Sequence, residues 1–260
     1  MRAVFVAVLT AVLTVCAVLV PLPAASASTC VKPIVHRGVH NATTDEDTVA
    51  AILASKPYGS AEIDIHVNAD GHLVVMHDAK VDRTTDGTGY VHELSIDQIR
   101  ALRTTPNGFA VPTLRQALRA AAQVDLRIVV ELKLAQQWSQ PLYERVNRFW
   151  NQFTAEGATI FVGGKGWAFE TRIPQWAPDV LVYWRPGVGE AVTVARATEL
   201  HVTMVMDHVT AWTGEEVSVF EADGFITASR MTRRLRLAGQ LGLDFALTNH
   251  LASCVSDGGG

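Results

Sequence analysis

The chain has no surplus of positive charge. Its 260 residues include 22 Lys and Arg against 26 Asp and Glu, a net charge of −4 with histidine neutral. Proteins that bind nucleic acid usually present a basic face, so this balance argues against a nucleic-acid partner and suggests that any phosphate is held at a local site. The chain also lacks internal repeats, linkers and low-complexity tracts, apart from three glycines at its C-terminal end. One large domain is therefore expected.

Long hydrophobic runs are absent beyond the first segment of the chain. Residues 3–20 form an apolar run behind a single basic residue, Arg2, and prolines and small residues follow. This order is typical of a secretory signal peptide, with cleavage predicted after Ala27. An uncleaved membrane anchor is the alternative, because the run is nearly long enough to span a bilayer. We expect a signal peptide over 1–27, a secreted protein and one domain over 28–260.

Cysteine is scarce. The chain has three, Cys16, Cys30 and Cys254, and neither Cys16 nor Cys30 lies in the sequence setting of a lipid-modified cysteine. Cys16 would leave with the signal peptide, so an even pair would remain in an oxidising compartment. That pair predicts a disulfide between Cys30 and Cys254, which requires the two ends of the domain to meet in space. Two free thiols are the alternative.

Short apolar runs alternate with helical patterns along the rest of the chain. This alternation implies parallel βαβ units, and eight such units close into an α/β TIM (β/α)8 barrel. A closed barrel makes its first and last strands neighbours, as the predicted disulfide requires. The predicted strands are 33–36, 61–66, 127–132, 159–162, 180–184, 202–206, 224–227 and 244–248. The predicted helices are 47–54, 114–122, 140–156, 189–197, 214–221 and 230–241, with at most a short helix in 167–176.

The stretch from Glu62 to Asp78 carries the strongest chemical signal. Glu62 and Asp64 stand two apart in an apolar strand pattern, so their carboxylates point to the same face. Like charges on a buried face are tolerable when a cation lies between them, and carboxylate oxygens suit Ca²⁺ or Mg²⁺. A turn and a second short strand then deliver His77 and Asp78. The alternative is a surface hairpin with exposed charges.

A series of short motifs surrounds this stretch. Each motif is weak alone, but their order and spacing together resemble the glycerophosphodiester phosphodiesterases, a family of TIM-barrel hydrolases. The motifs are His36-Arg37-Gly38, Glu46-Asp47-Thr48, Glu62-Ile63-Asp64, His77-Asp78, the run from Asp82 to Gly89, Val111-Pro112-Thr113-Leu114 and Glu131-Leu132-Lys133.

The resemblance implies a metal-dependent hydrolytic site. Glu62, Asp64 and Glu131 would bind one divalent metal ion, Ca²⁺ or Mg²⁺. His36 and His77 would act as the general acid and base, with His36 favoured as the base and His77 as the acid.

The resemblance also assigns two cations and a loop. Arg37 and Lys133 would bind the non-bridging oxygens of a phosphodiester; salt bridges to the rim carboxylates are the alternative for both. The turn-rich segment 78–110 would be a capping insertion after the second strand. His66 stands two residues beyond Asp64 and could line the pocket or serve the structure only.

The second half of the chain departs from the family pattern. Asn249 stands where the family carries Asp, and the usual Trp is missing from the seventh strand. Trp184 and Arg185, at the end of the fifth strand, could contact a substrate, although a rim aromatic is as often packing. The preferred head group therefore stays open.

We expect an enzyme that hydrolyses glycerophosphodiesters to sn-glycerol 3-phosphate and an alcohol. Its partner would be a small-molecule substrate, with no nucleic acid and no stable membrane insertion, and the oligomeric state stays open. One alternative is a sphingomyelinase D or phospholipase D-like barrel that acts on lysolipids. Another is a barrel that binds phosphoglycerol polymers without cleaving them. The retained histidines and acids argue against this last reading.

Overall fold

The computed structural model of the chain describes residues 30–187 and 189–251, without the side chain of Trp167. The predicted signal peptide, Cys254 and the three terminal glycines lie outside these residues. Secretion and the Cys30–Cys254 disulfide therefore stay predictions. Within the described ranges, none of the helices is long and apolar enough to cross a membrane.

The strands of the described residues form one closed sheet. Val35 on the first strand pairs with Ala61 on the second and with Thr248 on the last, so the sheet has no open edge between them. Eight parallel strands make the barrel, as predicted, and β3 adds to β2 as an antiparallel hairpin. The strands are β1 (Lys32–Val35), β2 (Ser60–Val67), β3 (Leu73–Val75), β4 (Arg127–Leu132), β5 (Thr159–Gly164), β6 (Leu181–Trp184), β7 (Met204–His208), β8 (Ile226–Arg230) and β9 (Phe245–Thr248).

Helices connect the strands on the outside of the barrel. They are α1 (Val49–Ala54), α2 (Ile96–Ala101), α3 (Leu114–Gln123), α4 (Gln140–Ala155), α5 (Trp167–Trp176), α6 (Val194–Glu199), α7 (Gly214–Ala222) and α8 (Leu235–Gln240). Single turns of 3-10 helix occupy Lys56–Tyr58, Val91–Glu93, Ala135–Gln137 and Val209–Ala211. Thr113 and Thr213 begin α3 and α7 with reciprocal side-chain caps.

Three helices begin later than the sequence pattern predicts, α1 by two residues and α6 and α8 by five each. α6 begins at Val194 and not at residue 189, because Thr193 caps it by accepting a hydrogen bond from the backbone N–H of Arg196. α8 begins at Leu235, since Arg230 still belongs to β8 and pairs with β7. The weakest prediction, the connection 167–176, is a ten-residue helix.

Side chains that alternate along the strands build two apolar layers. Those facing the barrel axis fill its interior, and those facing outward pack under the helices. The interior set is Ile34, Val129, Phe161, Tyr183, Met204, Met206, Ala228, Phe245 and Leu247. Because this filling closes the lower part of the barrel, polar inward positions remain at the carboxyl ends of the strands.

The segment 78–110 folds around a small apolar core of its own. Val81, Val91 and Ile99 pack there against Val74 and Met76 of the hairpin. Asp45 fastens the segment to the loop after β1.

The carboxylate of Asp45 accepts three hydrogen bonds from the segment 78–110. Thr104 donates its hydroxyl to Asp45 at 2.6 Å, and the side chain and backbone N–H of Asn107 donate at 2.7 and 3.1 Å. The segment is thereby held beside the loops that carry His36 and Arg37.

Candidate active site

The acids predicted from sequence lie together at the carboxyl end of the barrel. Asp64 on β2 pairs with Glu131 on β4, which pairs in turn with Gly163 on β5. A Cβ at Gly163 would come within 2.6 Å of Tyr183, so glycine is required by the close packing there. Glu62 and Asp64 share one strand face and are only 2% and 0% exposed. The reading as a surface hairpin with exposed charges is therefore wrong.

The three carboxylates form a compact cluster. One oxygen from each of Glu62, Asp64 and Glu131 lies within 4.8 Å of the others. Oε2 of Glu62 accepts a hydrogen bond from the backbone N–H of Arg37 at 3.0 Å. Its buried Oε1 has no hydrogen-bond partner within the described residues. Because a buried carboxylate oxygen without a donor is costly, the cluster suits a bound cation.

Three basic side chains contact the cluster. Lys133 places Nζ 2.6 Å from Asp64 Oδ1 and 2.7 Å from Glu131 Oε1. Arg37 Nε lies 3.5 Å from Asp64 Oδ2, and Arg185 donates to Glu131 Oε2 at 2.6 Å. Arg37 and Lys133 thus form the salt bridges that the sequence left as an alternative. Both keep further N–H groups that a phosphate could accept from.

Burial and mutual repulsion control the ionisation of the acids. Burial, with the charges of Asp64 and Glu131, raises the pKa of Glu62 well above its ordinary value. Burial opposes ionisation of Asp64 too, but the charge and hydrogen bond of Lys133, together with the charges of His77 and Arg37, hold the pKa of Asp64 below its ordinary value. Burial and the charge of Asp64 also raise the pKa of the adjacent Asp47. Glu62 and Asp47 therefore lack enough nearby positive charge to ionise freely.

His36 directly follows β1 and faces the cluster. Its Nδ1 lies 3.0 Å from Asn249 Oδ1 and its Nε2 lies 4.0 Å from Glu62 Oε2. Burial, followed by the charge of Arg37, lowers the pKa of His36 to about 4. When the Asn249 amide oxygen accepts from Nδ1, the lone pair of the neutral ring is on Nε2, which faces Glu62.

His77 is oriented by a chain of charged groups. Its Nδ1 lies 2.6 Å from Asp78 Oδ1, and Arg83 donates Nε to Asp78 Oδ2 at 2.6 Å. Arg83 also donates to Glu46 at 2.5 Å, and Glu46 accepts from Arg37 Nη1 at 3.0 Å. The hydrogen bond from Arg83 is the main reason that the pKa of Asp78 lies below its ordinary value. These contacts connect His77 with the loop that carries His36.

His66 is structural in this arrangement. It is buried, and its Nε2 lies 3.1 Å from the backbone oxygen of His77. Its ring therefore fixes the backbone that presents His77. Trp184 is 1% exposed and packs in the layer between sheet and helices, while its neighbours Tyr183 and Arg185 face the barrel axis. The suggestion that Trp184 contacts a substrate is wrong, because strand alternation turns it outward.

Family membership is decided by comparison with protein-family models. Residues 36–217, more than half of the chain, match the glycerophosphoryl diester phosphodiesterase family. The chain belongs to this family. The matched range includes every residue that the sequence analysis assigned to catalysis, phosphate binding or metal binding.

Similar proteins with curated names cover part of the chain. The chain is 38% identical over 130 residues to glycerophosphodiester phosphodiesterase 1 of Bos taurus, a match that spans 44% of this chain and 39% of the relative. It is 33% identical over 108 residues to a glycerophosphodiester phosphodiesterase of Caldanaerobacter subterraneus, spanning 38% of this chain and 44% of the relative. The matched part is thus less than half of either relative's length.

Solved structures of the family resemble the whole fold. A phosphodiesterase from Oleispira antarctica, solved with the product sn-glycerol-3-phosphate, has a TM-score of 0.69 at 19% identity and covers 87% of this chain and 96% of its own. A glycerophosphodiester phosphodiesterase from Parabacteroides distasonis has a TM-score of 0.70 at 19% identity and covers 88% and 96%. At such identities these structures establish the shared fold.

The donor set of this phosphodiesterase-family barrel fits a hard divalent cation. All three cluster side chains offer carboxylate oxygens, which Ca²⁺ and Mg²⁺ prefer to nitrogen or sulfur. The buried, unpartnered oxygen of Glu62 and the raised pKa of its carboxyl group both indicate a local shortage of positive charge. A divalent ion would relieve that shortage.

Sequence reasoning missed several residues of the site. Asn249 was noted only as a departure from the family pattern, yet it contacts His36. Arg185 was grouped with a substrate-stacking aromatic, but it pairs with Glu131. Asp47 was named only as part of a motif, yet its carboxylate accepts from the backbone N–H of Asp64 at 3.4 Å. The only available signal was position, since Arg185 and Asn249 directly follow strands.

Proposed function

We propose that the protein is a metal-dependent phosphodiesterase that hydrolyses glycerophosphodiesters to sn-glycerol 3-phosphate and an alcohol. One observation carries this proposal: two histidines and a buried carboxylate cluster with basic partners meet at the mouth of a family barrel. The phosphodiesterase from Oleispira antarctica was solved with sn-glycerol-3-phosphate as its product, which supports glycerophosphodiesters as the substrate class.

Glu62, Asp64 and Glu131 would hold one divalent ion. Bound there, Ca²⁺ or Mg²⁺ would supply positive charge that neutralises the phosphodiester and the developing alkoxide. The three carboxylates are buried and lie close together, so all three could bind the same ion. Arg37 and Lys133 add fixed positive charge for the non-bridging phosphate oxygens.

The contacts of the histidines support His36 as the base and His77 as the acid. The amide oxygen of Asn249 at Nδ1 leaves Nε2 of neutral His36 to accept a proton from the attacking hydroxyl, whether of water or of the glycerol. The carboxylate of Asp78 holds Nδ1 of His77, and His77 would give a proton from Nε2 to the departing oxygen.

Release of sn-glycerol 3-phosphate from glycerophosphocholine tests the function. The purified protein should turn over with Ca²⁺ or Mg²⁺, and EDTA should abolish the activity until the ion is restored. His36→Ala and Glu62→Ala should each lower kcat by roughly 10²–10⁴-fold, the usual size of a lost acid–base or charge-stabilising contact. His92→Ala, at an exposed histidine away from the cluster, is the matched control and should retain full activity.

Other outcomes point to other functions. Turnover of lysolipids alone would favour a sphingomyelinase D or phospholipase D-like activity. A folded, metal-loaded protein with no turnover of either substrate would favour binding of phosphoglycerol polymers without cleavage.

We also propose that the protein acts outside the cytoplasm. The support is the sequence pattern of residues 1–27, with cleavage after Ala27. Mass spectrometry of exported protein should find an N-terminus at Ser28. Full-length protein retained in the membrane fraction would instead support an uncleaved anchor.

A further inference from the structure

A second charged concavity lies outside the barrel mouth, on the flank of the β2–β3 hairpin. Its volume is about 550 Å³, and the hairpin, α2, the start of α3 and α4 form its walls. Four arginines line it, namely Arg100, Arg115, Arg145 and Arg148. We call this concavity the arginine cleft. It holds none of the residues assigned to the proposed hydrolytic site.

Two of the arginines have neutral partners. Arg145 on α4 donates to the backbone oxygen of Gly71 at 2.6 Å, which fixes its guanidinium against the hairpin turn. Arg115 on α3 donates to the amide oxygen of Gln152 at 3.4 Å. These contacts position both groups and leave their charges unneutralised.

The other two arginines add to the excess of charge. Arg100 pairs with Asp97 at 3.3 Å, an exposed pair that contributes little in water. Arg148 has no carboxylate at ion-pair distance within the described ranges of the chain. The acid in the wall is Asp70, and its carboxylate accepts from the backbone N–H of Ile96 at 2.5 Å. The lining of the cleft thus carries four guanidinium groups and one carboxylate, and Asp97 pairs with Arg100 from outside the lining, on a protein of net charge −4.

The charge and size of the arginine cleft indicate the class of ligand that it could bind. A guanidinium group can donate two parallel hydrogen bonds to two oxygens of one phosphate. The N-terminal end of the ten-residue α3, which Thr113 caps in the cleft wall, adds partial positive charge. One phosphate would occupy a fraction of 550 Å³ and reach only some of the arginines. A concave wall also fits a discrete molecule better than a flat bilayer.

We propose that the arginine cleft binds an oligoanion that carries at least two phosphate groups. The site is separate from the proposed hydrolytic centre, and the proposal does not depend on that activity.

Calorimetric titration with inorganic tripolyphosphate tests the proposal. The wild-type protein should bind one equivalent, more weakly as salt is raised, and inorganic phosphate should bind at least tenfold more weakly. The double variant Arg115→Gln/Arg148→Gln should weaken tripolyphosphate binding by roughly tenfold or more, since it removes two charge-assisted contacts. Arg119→Gln, an exposed arginine on α3 outside the cleft, is the matched control and should leave the affinity unchanged.

Three results would overturn the proposal. These are equal tripolyphosphate affinity in the wild type and the double variant, no binding by wild-type protein that circular dichroism shows to be folded, or binding only to vesicles of anionic lipid. The last result would make the surface a membrane contact.

Discussion

At the scale of single residues, the site combines a buried glutamate, Glu62, whose ionisation is opposed, with basic side chains held by short contacts. Glu62 is buried with one unpartnered oxygen within the described part of the chain, and Lys133 bridges the other two acids. His77 depends on Asp78 and Arg83 for its orientation. These contacts lead to two predictions about individual side chains.

Substitution of Glu62 should weaken metal binding without destabilising the metal-free protein. Glu62→Gln removes a charge whose ionisation is opposed by burial and by neighbouring acids, so the metal-free protein should unfold at the same temperature or higher. In the wild type, metal at about a hundred times its Kd should contribute about 3 kcal/mol, or roughly 5–10 °C in Tm. Glu62→Gln should lose most of this metal-dependent rise.

Thermal unfolding with and without Ca²⁺ or Mg²⁺ measures both effects. The matched control is Glu93→Gln, an exposed glutamate in the segment after β3, which should keep the full metal response. A metal-dependent rise in Glu62→Gln equal to that of wild type would remove Glu62 from the ligand set.

Asp78 should stabilise the fold in a pH-dependent way. Its pKa is depressed in the folded state, chiefly by the hydrogen bond from Arg83. Its contribution is therefore complete above the unfolded value, near pH 4, and is lost progressively as the pH falls below it. Asp78→Asn should cost about 1 kcal/mol at pH 7, with the difference shrinking toward pH 3.

Urea unfolding of both proteins at pH 7, 5 and 3 gives this difference directly. Asp82→Asn, on the same loop, supplies the comparison, since Asp82 accepts only a backbone N–H from Gly89 among the contacts described. A difference between Asp78→Asn and wild type that stays constant over the three pH values would contradict the assigned ion pair. Asp78→Asn should also lower kcat more than it changes KM if Asp78 orients His77.

At the scale of elements, the turn between β1 and α1 is the most constrained segment of the site. Arg37, Gly38 and Asp47 all adopt positive φ, at 57°, 70° and 57°. This backbone brings the N–H of Arg37 onto Glu62 and lets the N–H of Val39 reach the backbone oxygen of Ala51 on α1. The turn can therefore approach α1 only with glycine at position 38.

Gly38→Ala should destabilise the protein by about 3 kcal/mol or more. A left-handed backbone costs a non-glycine residue roughly 1–2 kcal/mol, and overpacking adds a similar amount. The new Cβ would lie 2.7–2.8 Å from backbone and side-chain atoms of Ala51. These atoms belong to α1 and cannot easily move away. Activity should fall with stability, because the turn carries His36 and Arg37.

Gly59→Ala separates these two contributions. Gly59 has φ of 76° with nothing within 4 Å of the added Cβ, so only the backbone cost should appear in urea unfolding. Equal losses of stability in the two variants would show that the contact with Ala51 is unimportant.

At the scale of the whole molecule, closure of the barrel assembles the site. His36 and Asn249 are 213 residues apart in sequence and 3.0 Å apart in space, because β1 and β9 are neighbours. The two strands are parallel, so Cys30 precedes β1 at one end of the barrel and the chain leaves β9 at the other. The disulfide between Cys30 and Cys254 stays a prediction, because Cys254 lies outside the described residues.

Peptide mapping of protein folded under oxidising conditions should find Cys30 linked to Cys254. Reduction should then lower the stability by about 3–5 kcal/mol, because the bridge closes a very long loop in the unfolded chain. Cys30→Ser serves as the control, and its stability should not respond to reductant. Two thiols that alkylate in the native, oxidised protein would rule out the bridge.

The sequence by itself determined the order of strands and helices, the shared face of Glu62 and Asp64, and the motifs of the family. These features depend on periodicity and on neighbours a few residues away, which a chain encodes locally. Helix starts such as that of α8 were displaced because strand pairing extended β8.

Only the tertiary structure decided which distant groups meet. The contacts of Asn249 with His36 and of Arg185 with Glu131 follow from strand order around a closed sheet, and no local pattern specifies them. Assembly of the arginine cleft follows equally from how α2, α3 and α4 pack on the barrel and the hairpin. Local sequence sets the direction of each side chain, but closure of the barrel and helix packing set its neighbours.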